Sequence, residues 1–207
     1  MKKLLIIIIL SLFAIHQPAV AQVTQGQVKQ MIGQAAASVK SMQCDFVQTK
    51  HLKMLGDKVV SRGVMYYQQS DKLRWEYVSP YKYTFILNGN KVQIKNDKRT
   101  DVIDVERNKL FKEIARIMMS SVVGDCLNDT RSFKTTITDG NTSWVATLVP
   151  QRKEMKQMFS SIRLYFNKKS SMVSMVELVE KNGDKTFIEL KNVKTNGQIA
   201  SSTFAVN

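Results

Sequence analysis

Apolar residues recur at helical spacing in the segment that follows Thr24. They occupy positions i, i+3, i+4, i+7, i+11 and i+14, which places them on one face of a helix. These residues are Val28, Met31, Ile32, Ala35, Val39 and Met42. The hydroxyl of Thr24 can accept a hydrogen bond from the first helical turn, so this residue is a suitable N-cap. The pattern predicts one amphipathic helix from Thr24 to about Ser41.

After this helix, apolar and polar residues alternate with a period of two. Cys44, Phe46 and Gln48 alternate with their neighbours, which predicts a strand reaching toward Leu55. Further alternating segments follow, separated by Gly, Asn, Asp and Pro residues that are typical of turns. The predicted strands cover residues 58–68, 73–77, 81–87, 91–95, 133–138, 144–149, 162–166, 173–180 and 185–193.

One segment with helical spacing interrupts the strands. Its apolar residues are Leu110, Ile114, Ile117, Met118 and Val122. They predict a helix from about Asn108 to Val123, with Gly124 ending it. Hairpin-joined strands with two amphipathic helices favour an α+β fold that is mainly antiparallel β. We expect a curved, half-closed sheet whose concave face is covered by the helices, in a single domain over 22–207.

The N-terminus follows the pattern of a cleaved signal peptide over residues 1–21. Two lysines precede an apolar run of about 12 residues, shorter than the roughly 20 that a membrane-spanning helix needs. Pro18 ends the run, and Ala19-Val20-Ala21 presents small side chains where signal peptidase reads them. We therefore expect export to the periplasm, with Gln22 as the first residue after cleavage. An uncleaved segment lying at the membrane interface is the alternative.

The chain is strongly basic, with 31 Lys and Arg against 17 Asp and Glu and a formal net charge of +14. The basic residues are scattered, and no zinc-finger, helix-turn-helix or RNA-recognition signature occurs. Because export also argues against it, nucleic acid is not an expected partner. The charge favours a solvated basic surface, or attraction to anionic lipid head groups or to an acidic partner.

Residue types that support catalysis are few. His51 is the one histidine outside the signal peptide, and we interpret it as an exposed basic side chain. No metal-ligand spacing and no glycine-rich phosphate loop occurs, so neither a catalytic residue nor a metal or other cofactor is expected. Asp101 and Asp104 could serve as a glycosidase pair, but acidic residues in a polar loop are usually only solvated.

The two cysteines, Cys44 and Cys126, permit one disulfide in an oxidising compartment. Sequence alone cannot show whether their Cα atoms approach within bridging distance. Cys44 alternates with Phe46 on a predicted strand, so it can equally be a small buried residue.

Methionine and aromatic residues are numerous enough to line an apolar cavity. There are 11 methionines, and Trp75, Tyr77 and Phe85 lie on neighbouring predicted strands. A helix laid over a curved sheet leaves an apolar space, although ordinary core packing is the alternative for each residue. Strand parity decides which side chains point inward. The predicted lining is Phe46, Met65, Trp75, Tyr77, Phe85, Leu87, Ile114 and Met118.

Five segments in this order carry a resemblance to a known family. They are Cys44-Asp45-Phe46-Val47-Gln48, Gly63-Val64-Met65-Tyr66-Tyr67, Leu73-Arg74-Trp75-Glu76-Tyr77-Val78-Ser79-Pro80, Phe85-Ile86-Leu87-Asn88-Gly89 and Thr203-Phe204-Ala205-Val206. The chain resembles the periplasmic outer-membrane lipoprotein carriers of the LolA type, as a divergent member. The last segment corresponds to the final strand of that family.

The resemblance implies an incomplete β-barrel of about eleven strands, with helices as a lid, that holds the acyl chains of lipoproteins. Such a carrier takes its cargo from an inner-membrane lipoprotein-releasing transporter and passes it to an outer-membrane acceptor. The resemblance also implies a monomer without a cofactor. Two other functions share these features: a module that senses lipids or lipoproteins, and a carrier of another envelope lipid such as a glycolipid or a polyketide-linked pigment.

The chain departs from the family at the position that holds the lid closed. In the family an Arg shortly before the Leu-Arg-Trp segment hydrogen-bonds to the lid. The corresponding positions here are Gln69 and Ser70, so Gln69 is the candidate latch and lacks a charge. Arg74 alternates with Leu73 and Trp75, which are expected to point inward, so Arg74 is expected to face solvent. The helix from about Asn108 to Val123 is the expected mobile lid.

Overall fold

The computed structural model describes residues 23–69, 71–107, 117, 119, 120 and 124–207, which include eleven strands of one antiparallel sheet. The strands are β1 (Ser41–Leu52), β2 (Asp57–Gln68), β3 (Lys72–Ser79), β4 (Tyr83–Asn88), β5 (Lys91–Asn96), β6 (Thr100–Asp104), β7 (Phe133–Asp139), β8 (Ser143–Pro150), β9 (Phe159–Asn167), β10 (Val173–Glu180) and β11 (Lys185–Thr195). The described helices include α1 (Gln25–Ser38) and α2 (Lys153–Met158). Short 3₁₀ turns lie at Val105–Arg107, Asp125–Asn128 and Ser201–Phe204.

Two meanders make up the sheet. Strands β1 to β6 pair in succession, as do β7 to β11, and the pairing of β1 with β11 joins the two halves. The described strands β6 and β7 lie at opposite edges and do not pair, so the sheet does not close. Register shifts in the β1–β11, β2–β3 and β9–β10 pairs mark bulges, which bend strands and increase their twist. The predicted α+β fold with a half-closed antiparallel sheet is confirmed.

Helix α1 begins where the sequence predicts and ends earlier. Thr24 forms a capping box with Gln27, in which each backbone N–H donates to the other residue's side chain. Val28 and Ile32 are buried on the side that faces β7 and the 3₁₀ turn at 125–128. The chain is already extended at the end of the predicted helix, so Met42 enters the core from strand β1.

Three elements differ from the prediction. Asp101 and Asp104 lie on edge strand β6, where the sequence predicts a polar loop. An edge strand buries few apolar side chains, so apolar and polar residues do not alternate clearly along it. Helix α2 was not predicted, since six residues carry too little periodicity. Residues 203–206, expected to form a closing strand, instead belong to a 3₁₀ turn and an extended tail. The predicted helix over 108–123 lies mostly outside the described residues.

The C-terminal tail covers the outer face of strands β3 to β5. Phe204 is completely buried there, and its carbonyl accepts a hydrogen bond of 3.0 Å from the Asn88 amide. The backbone N–H of Asn207 donates to Gln93 Oε1 at 2.7 Å. Arg74 lies on this outer face but is only a quarter exposed, because it pairs with Glu76 and also donates to the tail carbonyl at 203. The expectation that it faces solvent is therefore corrected in part.

Buried apolar side chains form two clusters on the concave side. One belongs to β7–β10 with α1 and the 3₁₀ turn at 125–128, and includes Phe133, Trp144 and Phe166. The other belongs to β1–β5 and includes Met65 and Leu73. Each cluster covers one half of the curved sheet, and the space between them is the candidate site.

The two cysteines belong to different clusters and are not bridged, so the disulfide permitted by the sequence does not form in this structure. Both side chains are buried. Burial raises the pKa of the Cys44 thiol to about 12, and the neighbouring Asp45 carboxylate acts in the same direction. Cys44 therefore behaves as a small buried residue of β1, the alternative reading of its sequence position.

Replacing Gly63 with Ala should destabilise the fold by about 1–3 kcal/mol. A Cβ at this position would lie 2.0 Å from the Glu76 carbonyl oxygen and 2.5 Å from Cζ of Phe46. Gly33→Ala is the matched control, because nothing lies within 4 Å of its added Cβ and alanine favours a helix by up to ~1 kcal/mol. Urea unfolding measures both variants. A Gly63→Ala protein as stable as wild type would contradict this packing.

Candidate functional site

A cavity of about 430 Å³ lies between the two apolar clusters on the concave face. Its walls come from strands β1, β3–β5 and β9–β11, from α2 and from residue 117. The lining side chains are Gln48, Trp75, Tyr77, Tyr83, Phe85, Ile94, Ile117, Met155, Met158, Phe159, Ile162, Val173, Val176, Leu178, Ile188 and Leu190. None of these described lining residues carries a charge. The cavity can therefore accept apolar groups without desolvating an ion.

Strand alternation places the aromatic side chains on one wall. Trp75 pairs across the ladder with Phe85, and Tyr77 pairs with Tyr83, so that all four point to the concave side. The rings of Tyr77 and Tyr83 meet edge to face with centroids 5.9 Å apart. Cross-strand aromatic pairs of this kind give the wall a fixed shape.

The ring of Phe46 supports this aromatic wall from below. Phe46 lies opposite Gly63 on β2, and the missing side chain there lets the ring pass over the strand. Its centroid is 4.4 Å from that of Trp75 and 5.1 Å from that of Tyr77. Phe46 is itself only 1% exposed, so it positions the wall and does not line the cavity.

Two polar groups interrupt the apolar lining. The Tyr77 hydroxyl donates to Oε1 of Gln48 at 2.9 Å, and burial raises the pKa of the Tyr77 phenol, which keeps it neutral. The indole Nε1 of Trp75 is buried and forms no hydrogen bond of standard geometry with the described residues, although it interacts with the Tyr77 hydroxyl and lowers the pKa of that phenol against the larger effect of burial. A fully unsatisfied buried N–H costs about 1–3 kcal/mol, and a poorly formed hydrogen bond leaves part of that cost. A ligand that supplies a hydrogen-bond acceptor would remove this cost.

The structure brings together part of the predicted lining. Trp75, Tyr77 and Phe85 line the cavity. Met65 and Leu87, like Phe46, point to the same concave side but are sealed inside the β1–β5 cluster. All six side chains thus lie on the concave side, three at the cavity and three inside the cluster.

Three further predicted residues concern the lid. Ile114 and Met118 lie outside the described residues, but Ile117 of the same apolar stripe is helical and lines the cavity. Gln69 is exposed in the turn after β2, where its backbone N–H donates to the Lys40 carbonyl at 2.8 Å. Its role as a latch stays a prediction.

Several lining residues were missed in the sequence. Met155, Met158 and Phe159 follow an i, i+3, i+4 pattern that would have predicted a short apolar helical face. The strand prediction here began only at Ile162, so the start of β9 was lost. Ile188 lies in a strand that was predicted, but nothing in its sequence reveals that β11 pairs with β1 at the centre of the sheet.

A charged cluster lies beyond the cavity on the concave side of β1. The ammonium group of Lys50 is 2.8 Å from Glu180 and 3.7 Å from Asp184, and the hydrogen bond to Glu180 raises the pKa of Lys50. The Asp184 carboxylate also accepts the Lys53 backbone N–H at 2.9 Å and the Asn182 amide at 3.0 Å. The Lys53 N–H is the main cause of a lowered pKa at Asp184. This cluster ties the β10–β11 turn to β1.

His51 lies on the outer face, where its ring packs edge-on against Phe187 with centroids 5.5 Å apart. Within the described ranges, no three His, Cys, Asp or Glu side chains gather in a group that could hold a metal ion. No described helix has the length and apolar character needed to cross a membrane.

Asp184→Asn should lower the free energy of unfolding at pH 7. A carboxylate whose folded pKa lies below its unfolded value of about 3.9 stabilises the protein above that pH, and the contribution is lost as pH falls through the folded pKa. The difference in the free energy of unfolding between wild type and variant should therefore become smaller below about pH 4. Urea titrations at several pH values measure it, with Asp97→Asn in the β5–β6 turn as an exposed control. A gap that widened in acid would contradict this assignment.

Comparison with known proteins adds independent observations. The family model described as outer membrane lipoprotein carrier protein LolA matches residues 37–207. An outer-membrane lipoprotein carrier protein of Methylococcus capsulatus is 26% identical over 159 residues, which cover 76% of this chain and 73% of that protein. A protein of the same name from Pseudomonas syringae pv. syringae is 26% identical over 142 residues, which cover 69% of this chain and 65% of that protein.

A solved structure supports the fold. An uncharacterized conserved protein from Thermus thermophilus superposes with a TM-score of 0.53 at 8% identity, covering 88% of this chain and 93% of that one. At this identity the likeness concerns the arrangement of the backbone alone.

Proposed function

We propose that this chain, which belongs to the LolA family of outer membrane lipoprotein carrier proteins, holds the acyl chains of lipoproteins in its concave cavity and carries them through the periplasm. The observation that supports this best is the cavity itself. It has about 430 Å³ of space and no charged side chain among its described lining residues. That volume lies within the roughly 300–1,000 Å³ typical of ligand pockets.

The cavity chemistry suits an acyl chain joined to a carbonyl group. Each CH₂ moved out of water gains ~0.8 kcal/mol, so the apolar walls supply the affinity. The Nε1 of Trp75, which has no well-formed hydrogen bond to the described residues, offers a donor to the carbonyl oxygen of an acyl ester or amide. Such a contact would fix the polar end of the chain beside the Tyr77–Gln48 pair. The protein acts here by binding and release, without catalysing a reaction.

The proposed route begins with export directed by residues 1–21. An inner-membrane lipoprotein-releasing transporter then loads the cavity, and an outer-membrane acceptor empties it. Family membership and the N-terminal pattern support this route. Release requires that the cavity not bind too tightly, since a long acyl chain fully buried would gain many kcal/mol.

A mobile cover over the cavity would reduce the net affinity, and the segment 108–123 is the proposed lid. Its apolar stripe contains Ile114 and Met118, which we propose contact cargo. Ile117 supports the assignment, since it belongs to the same stripe, lines the cavity and is 8% exposed. When cargo enters, acyl chains would replace the protein surface that the stripe contacts, so little apolar area would be newly exposed.

Val176→Glu should weaken acyl binding at least tenfold, which is ~1.4 kcal/mol. Val176 lines the cavity, and a carboxylate there would have to be desolvated by the bound chain. The matched control is Met175→Glu, one residue away on the outer face of the same strand. A fluorescent fatty acid titrated into purified protein measures both affinities, and urea unfolding checks that both variants fold. Equal weakening by the two variants would contradict binding on the concave face.

Transfer between two membranes separates a carrier from a sensor. Donor membranes with an acylated lipoprotein and its releasing transporter are incubated with acceptor membranes that display the acceptor. The wild-type protein should move the lipoprotein to the acceptor fraction, whereas Val176→Glu should not. Mass spectrometry of lipid bound to the purified protein identifies the cargo. A protein that binds lipoprotein but does not deliver it to the acceptor membranes would contradict the carrier function. A bound glycolipid or pigment would identify that molecule as the cargo instead of a lipoprotein.

A further inference from the structure

One end of the sheet combines positive charge with exposed apolar side chains. We call it the upper end, and it contains the connections at residues 53–56, 80–82, 97–99, 151–158 and 181–184. These connections lie together because successive strands of the sheet are antiparallel. Met158, at the end of α2, lines the cavity and is 36% exposed, so the cavity reaches the surface at this end.

The β1–β2 hairpin projects beyond β3 at the upper end. Strands β1 and β2 have 12 residues each and the adjacent β11 has 11, whereas the adjacent β3 has 8. Pairing between β2 and β3 begins only at Arg62, opposite Ser79. Residues 57–61 of β2 therefore extend past the end of β3, whereas on the other side of the hairpin Lys185 of β11 still pairs with His51 of β1.

The tip of this hairpin exposes two large apolar side chains. Met54 is 91% exposed and Leu55 is 75% exposed, the highest values among the large apolar residues of the described chain. Tyr81, in the neighbouring turn between β3 and β4, is 60% exposed. A projecting apolar tip contributes nothing to the core, and clustered exposed apolar groups are typical of interaction sites.

A basic pocket of about 460 Å³ lies next to the tip, between the β1–β2 and β10–β11 turns. Lys53, Lys58 and Lys185 line it, and in the described residues none of their ammonium groups forms an ion pair with a carboxylate. Gly183, at φ +89°, leaves room for the Lys53 side chain, whose Cδ would be 2.5 Å from an added Cβ. One carboxylate, that of Asp57, also lines the pocket and accepts the Lys58 N–H at 2.6 Å.

We propose that the upper end docks on an anionic lipid bilayer. Met54 and Leu55 insert at the boundary between head groups and acyl chains, and Lys53, Lys58 and Lys185 hold lipid phosphates. The occupant is a membrane because three ammonium groups without a carboxylate partner in the described chain lie beside an exposed apolar tip, and together they complement its charged surface and its apolar interior. Docking would bring the cavity end that contains Met158 to the bilayer. The proposal does not depend on which lipid the cavity holds.

Vesicle flotation tests this proposal. Wild-type protein should bind vesicles of phosphatidylglycerol and phosphatidylcholine, bind pure phosphatidylcholine weakly, and dissociate as salt screens the charges. The double variant Met54→Asp/Leu55→Asp and the triple variant Lys53→Glu/Lys58→Glu/Lys185→Glu should each bind about tenfold less or weaker still. The control Lys40→Glu/Lys169→Glu/Lys194→Glu makes the same charge change at the opposite end and should retain most binding.

Two further measurements keep the outcome interpretable. Urea unfolding verifies that each variant is folded, and fatty-acid titration without vesicles should give wild-type affinity for all three variants. If both triple Lys→Glu variants lost vesicle binding equally, only the net charge would matter, and the proposed surface would be overturned. Absence of wild-type binding to the anionic vesicles at low salt would also overturn it, and would leave an acidic protein as the partner of the upper end.

Discussion

Eleven strands that bend without closing leave one apolar concave face that must be kept from water. A closed barrel would fill this space with its own side chains, whereas here the two edges, β6 and β7, remain apart. Helix α1, the 3₁₀ turn at 125–128 and helix α2 cover one half, and large side chains of β1–β5 fill the other. The cavity is the space that remains between the half covered by the helices and the half filled by side chains.

The aromatic wall depends on one small residue. Gly63 lets the Phe46 ring cross β2 and contact Trp75 and Tyr77, which fixes the shape of the cavity from behind. Apart from Phe159, the opposite wall consists of aliphatic and methionine side chains, such as Met155, which adapt more easily to a flexible ligand. A rigid wall facing an adaptable one allows chains of varied length to be held without a fixed contact for each carbon.

Binding and release are in conflict in any lipid carrier. Apolar burial gives large affinity, so the means of release must be built into the same surfaces. The buried N–H of Trp75 has no well-formed hydrogen bond to the described residues, and the upper end combines the exposed Met158 of the cavity with basic side chains. In the proposed function, the polar groups would determine where the apolar cargo lies and where it can leave, while the apolar walls would determine how strongly it is held.

The sequence by itself determined the alternation of the strands, the N-cap at Thr24 and the antiparallel class, because these depend on neighbours along the chain. Tertiary structure decided the rest. Edge strand β6 is exposed and α2 is short, so neither has a clear period. Phe204 is buried on the outer face because the tail crosses β3 and β4, although its segment resembles a strand. An inward-pointing residue is buried in a cluster or lines the cavity according to its distance from the opposite wall. Local sequence does not determine that distance.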